Sequence, residues 1–143
     1  MTSVVTSVSG AIRAALLTPE PRAKAFAARK VARDWAAERL AFSFNAAMPD
    51  RPARPEQPEL LPPNRMPKRG FGGSGAGSER GRIALWHALA HIEFVAIDLA
   101  LDMAGRFGAE MGQGFVGDFL AVAADEAMHF ELLARRLRHL GSH

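Results

Sequence analysis

The chain contains no cysteine, so disulfides, thiolate metal sites and cysteine nucleophiles are all excluded. Aromatic residues make up only 8% and uninterrupted β-branched runs are nearly missing, whereas alanine is abundant and hydrophobic residues reach 48%. That balance argues against global disorder and favours helix over sheet, so an all-α fold is expected. No basic segment followed by an apolar core and a cleavage site opens the chain, which argues against a secretory signal. No run approaches the roughly 20 consecutive apolar residues of a membrane span. The resulting expectation is a cytoplasmic protein without membrane partners, and 143 residues suit one folded body.

Charge of one sign is scarce in each part of the chain. Residues 1–82 carry 14 Lys and Arg against 7 Asp and Glu, and residues 83–143 carry 4 against 8. A basic first part is compatible with nucleic-acid binding, but Arg spread along a Pro-rich tether is the commoner device for solubility, so a nucleic-acid partner is the lesser expectation.

Three segments follow from composition. Residues 1–46 contain a short helix over 10–17 and, after Thr18-Pro19-Glu20-Pro21, a second over about 21–44 whose apolar stripe holds Ala27, Ala28, Val31, Trp35 and Phe42. Lys24 and Glu38 fall on the same side, and Glu38 is read as an edge residue paired to a neighbouring base. Residues 47–77 hold seven of the nine prolines and then five glycines, the pattern of an extended tether laid over a helical body and ending in a hinge. Within it, Gly70-Phe-Gly-Gly-Ser-Gly75 matches the letters of a dinucleotide fingerprint, but no strand or βαβ unit surrounds it. Ser78 then has the character of an N-cap for residues 78–143, read as two long helices joined by a Gly-rich turn over 108–114.

The chemistry concentrates in Ala123 to Phe130. On a helical projection, Glu126 sits amid a sector of Phe115, Phe119, Val122, Phe130, Leu133, Leu137 and Leu140, with His129 beside it. A carboxylate aimed into a core costs several kcal/mol unless a metal, a buried cation or a proton compensates it. On the preceding helix Glu93 falls on an apolar side among Ala90, Ala96 and Ala100, which leave space beside it. With the turn centred between Glu110 and Met111, Glu93, Glu126 and His129 come level within about 5 Å along an antiparallel hairpin. A Glu facing Glu-x-x-His is half the ligand set of a di-iron or di-manganese carboxylate bundle, and these oxygen and imidazole donors suit iron or manganese. The competing account is a metal-free hydrogen-bonded cluster, in which two ionised acids face one cation. His87 and His91 have the spacing of a zinc pair without the Glu of His-Glu-x-x-His. They are read as hydrogen-bonding residues with Asp98 as a partner, and Asp125 as a residue orienting His129.

The runs Met66-Pro67-Lys68-Arg69, Gly81-Arg82-Ile-Ala-Leu-Trp-His87-Ala-Leu-Ala-His91-Ile-Glu93 and Ala124-Asp-Glu126-Ala-Met-His129-Phe resemble an uncharacterised bacterial family of the ferritin-like superfamily. The likeness covers roughly residues 47–143. It implies a four-helix bundle with a metal-carboxylate centre to which this chain contributes Glu93, Glu126 and His129. Broader relatives include di-iron oxygenases and oxidases, tRNA-modifying hydroxylases and iron-storage proteins, and fold alone does not choose among them. Such families carry a second helix pair with another Glu and another Glu-x-x-His, and this sequence has a single Glu-x-x-His. Three readings follow: the N-terminal half of a longer protein, a homodimer that completes the site, or an inactive fragment. A rival from a different class is a non-enzymatic helical interaction module whose hairpin face docks on a partner.

Overall fold

The computed structural model describes residues 6–55 and 79–141, which form an all-α arrangement of four helices. Helix α1 (Val8–Leu16) begins at Ser7, whose Oγ accepts the Gly10 N–H at 3.0 Å. Its Val8, Ile12, Ala15 and Leu16 recur at helical spacing and are buried. Helix α2 (Pro21–Ala36) starts as proline geometry dictates, with Pro21 in the first turn and both carboxylate oxygens of Glu20 accepting backbone N–H groups of Arg22 and Ala23. Helix α3 (Glu79–Met111) and helix α4 (Gln113–His139) form the long antiparallel hairpin.

The second helix stops eight residues earlier than its apolar stripe suggests. Glu38 adopts φ +60°, the Glu38 N–H donates to the Trp35 carbonyl and the Arg39 N–H to that of Asp34. This is a Schellman ending with Glu where glycine is favoured. Glu38 is therefore a helix terminator and exposed, not an edge residue of a continuing stripe. Replacing it with glycine relieves the left-handed backbone, and Glu38→Gly is expected to raise stability by about 0.5–1 kcal/mol in chemical denaturation. An unchanged or lowered midpoint would contradict that assignment.

Beyond Glu38 the chain turns back along α1. Val8 donates to the Ala41 carbonyl at 2.9 Å and Ala41 to that of Thr6 at 3.0 Å, while Phe42 packs edge-on against Phe44. Residues 47–55 lie over the helical body as the composition suggests. The Arg13 side chain donates to the Ala47 carbonyl, Ala53 to that of Leu16, and Arg106 to that of Pro49. The remainder of the expected tether, the Gly-rich run and the Ser78 cap lie outside the described residues.

The hairpin turn is tighter than expected. Helix α3 continues through Gly105 and Gly108, and Gly112 alone, at φ +99°, separates the two helices. Gly108 has a packing role: a Cβ there would meet Val116 Cγ2 at 2.5 Å and the Phe44 ring at 2.9 Å, so the missing side chain lets residues 41–55, the strap over the helices, approach the hairpin.

One core joins all four helices, with Ile12 and Leu16 of α1, Ala28 of α2, Ile97 and Leu101 of α3, and Val116, Leu120, Ala123 and Ala127 of α4 among its members. This seam on α4 lies about a quarter turn from the sector centred on Glu126. Glu126 therefore stands at the edge of the core, and Val122 is exposed.

Helix α3 from Arg80 to Met111 is also long and apolar enough to cross a membrane by length and composition, with a mean hydropathy of 1.5 over 18 residues. Glu93, Asp98 and Asp102 interrupt its apolar residues, so it holds no long unbroken apolar run. In the structure it packs against α4 and α1.

Candidate metal centre

Glu93, Glu126 and His129 come together. Each offers a ligand atom, and the three atoms lie within 4.8 Å of one another. The i, i+3 spacing on α4 puts Glu126 and His129 on adjacent turns of one face. The antiparallel register, marked by contact of the Phe94 and Phe130 rings at 5.6 Å, brings Glu93 opposite them.

His129 Nδ1 lies 3.8 Å from Glu93 Oε2 and 3.7 Å from Glu126 Oε2. Both separations exceed hydrogen-bond length. Glu93 Oε2 is buried and accepts no hydrogen bond from the described residues, although its side chain as a whole is 22% exposed. A buried carboxylate oxygen without a donor forfeits desolvation energy that a cation restores. Around an ion bonded at about 2.0–2.2 Å, neighbouring ligand atoms sit about 3 Å apart, so the observed spread closes by small side-chain adjustments. The donor set also fits chemically, since two carboxylates and an imidazole match iron or manganese. The back wall is dry, formed by the buried Ala90, Phe94, Ala123, Ala127 and Phe130. The outward side is open, with His129 49% exposed.

The other residues singled out in the sequence stand elsewhere. Asp125 is exposed and outside the cluster, and His87 and His91 are half-buried on another sector of α3. Asp98 pairs with Lys24 and Arg54. Lys24 Nζ donates to Asp98 Oδ1 at 2.7 Å and to the Ala53 carbonyl at 2.7 Å, and Arg54 reaches Asp98 Oδ2 at 2.5 Å. Burial pushes the Asp98 carboxyl up and the Lys24 ammonium down, each shift opposed by the hydrogen bond between them. Both cations also face the Phe94 ring, at 5.4 Å for Lys24 Nζ and 4.9 Å for Arg54 Cζ. The clamp thus braces α3 one residue from Glu93, on the side away from the open face. Its one signal in the sequence is a lysine on the apolar stripe of α2.

A family profile described as "Protein of unknown function (DUF455)" matches residues 17–143. The chain belongs to the DUF455 family. It is similar to an uncharacterized protein of Haemophilus influenzae, 47% identical over 95 residues that cover 62% of this chain and 31% of the relative. The chain therefore spans about a third of the length of the curated relative it matches. Residues 93–129 lie inside the family match, so the three converging side chains belong to the family region of the sequence. No solved structure matches.

Proposed function

We propose that this chain is part of a ferritin-like metal-carboxylate protein in which Glu93, Glu126 and His129 hold iron or manganese, as a contribution to a di-iron or di-manganese oxidoreductase. The observation that carries this reading is the buried Glu93 Oε2, without a hydrogen-bond donor among the described residues, facing a second carboxylate and an imidazole across the hairpin. Bound iron or manganese would supply redox chemistry with dioxygen. The chain's own residues do the rest. Glu93 and Glu126 provide carboxylate oxygens and His129 an imidazole nitrogen, while the alanines and phenylalanines behind them hold the ligands and exclude water from that side. The matched stretch covers 31% of the relative, which leaves length for a further helix pair elsewhere in that protein.

The test is metal binding measured directly. Anaerobic titration with Fe(II), and separately with Mn(II), followed by quantification of bound metal, should show binding to the unmodified chain and its loss in Glu126→Ala/His129→Ala. Glu93→Gln alone is expected to weaken binding by about tenfold or more, because a neutral amide replaces a charged ligand. Asp125→Asn, exposed and outside the cluster, should bind as the unmodified chain does. An unmodified chain that binds no more metal than the double variant sinks the reading.

A further inference from the structure

Where α2 ends and α4 begins, Trp35, Ala36, Glu38, Leu40, Phe42 and Gln113 line a recess of about 380 Å³. That volume falls among the about 300–1,000 Å³ of small-molecule sites. Two of its walls are aromatic. The ring centroids of Trp35 and Phe42 stand 6.3 Å apart with their planes tilted by 57°, so neither ring stacks over the face of the other. Both rings are braced by the fold: Phe44 meets Phe42 in a T-shaped contact at 5.1 Å, and the Trp35 indole lies so close to α4 that a Cβ on Gly117 would come 3.1 Å from Nε1. Phe42 nevertheless remains 39% exposed.

The third wall is charged. Glu38 is exposed and forms no ion pair among the described residues. Its φ of +60° is one that glycine adopts without steric cost, yet this helix end carries a carboxylate instead. Strain kept at an exposed position is a mark of functional sites. The negative end of α2 and the positive end of α4 both reach the recess and oppose each other. Glu38 is the one formally charged residue among the six that line it, so it sets the sign.

We propose that Trp35, Phe42 and Glu38 bind a small alkylammonium cation, a methylated amine whose charge is held between two aromatic rings and a carboxylate. Aromatic rings attract a cation through their quadrupoles. Methyl groups in place of N–H donors let such a cation enter an aromatic recess without stranding a hydrogen bond. The rings alone would accept any apolar group of that size, and Glu38 confers the preference for positive charge. The site is separate from Glu93, Glu126 and His129, because Trp35 meets α4 at Gly117, more than two turns before Glu126. Nothing in the proposal depends on metal.

Titration of the 143-residue chain with choline, followed by NMR at the Trp35 indole N–H and the Gln113 side-chain amide, tests this. Both signals should shift saturably at about millimolar choline, in keeping with so small a ligand. The uncharged isostere of choline, with carbon in place of the ammonium nitrogen, should bind about fivefold or more weakly. Glu38→Gln keeps the size of the side chain and should weaken choline by about fivefold or more. Glu38→Gly should weaken it as much while raising the denaturation midpoint, which separates binding from stability. Free choline and a lipid head group share this chemistry, and co-sedimentation with phosphatidylcholine vesicles that Glu38→Gln abolishes would assign the cation to lipid. Equal binding of choline and its carbon isostere, or choline binding unchanged in Glu38→Gln, overturns the cation site. So does the absence of any shift at the two signals with both choline and vesicles.

Discussion

Lys24→Met lowers stability by about 3 kcal/mol, the low end for breaking a buried pair because Arg54 still faces the carboxylate. The ammonium is wholly inaccessible and the Asp98 side chain only 4% exposed, so water cannot replace the lost interaction. Two acceptors are orphaned at once, Asp98 Oδ1 and the Ala53 carbonyl. Arg54 holds only the other carboxylate oxygen. Lys24→Met/Asp98→Leu removes the buried pair and should recover much of the loss, since a buried ion pair and a well-packed apolar pair are close in free energy and the remaining Arg54, 24% exposed, can turn to solvent. Urea denaturation of the three proteins measures this. A single variant within about 1 kcal/mol of the unmodified chain would mean that the pair is solvated in solution. The effect should survive high salt, because a pair at this depth is poorly screened.

Truncating Phe94 to alanine is expected to cost about 3–5 kcal/mol. Its ring is 4% exposed, packs on Phe130 and carries the cations of Lys24 and Arg54 on its faces. Cavity formation supplies most of that loss. Phe94→Leu separates the two contributions by keeping much of the volume and discarding the ring quadrupole. It should cost less than the alanine variant, with a share of about 0.5–2 kcal/mol from each lost cation contact. The check is a double-mutant cycle with Arg54→Ala. If Arg54→Ala costs the same in both backgrounds, the guanidinium and the ring do not interact. Because Phe94 adjoins Glu93, the alanine variant should also weaken metal retention, a readout independent of global stability.

Local chemistry made much of the fold legible. Glu20-Pro21 announces a helix start because proline suits a first turn and a carboxylate satisfies its free N–H groups. The pairing of Glu93 with Glu126 and His129 could be anticipated from helical spacing and from the short connection that forces α3 and α4 antiparallel. The turn's centre moved to Gly112, yet the three side chains remained level, since a shift of a residue or two displaces a side chain by only about 1.5 Å per residue.

Other features depended on distant residues. The end of α2 was hidden because Trp35 and Phe42 keep a helical spacing across Glu38. Their rings meet at 6.3 Å, but Phe42 gets there by a backbone reversal. Asp98 looked like a partner for histidines on its own helix. Its cations are Lys24, 74 residues away, and Arg54, and nothing in the local sequences pairs them.

The sequence by itself determined the helices, their antiparallel hairpin and the three residues that converge on it, because spacing along one chain sets these. The tertiary structure decided which side of the hairpin faces inward. Periodicity marks an apolar sector without saying what covers it, and packing of α1, α2 and the strap against the opposite side left Glu126 at the core's edge. The same packing decided that Lys24 and Asp98 share a buried bond, which only the folded chain brings together.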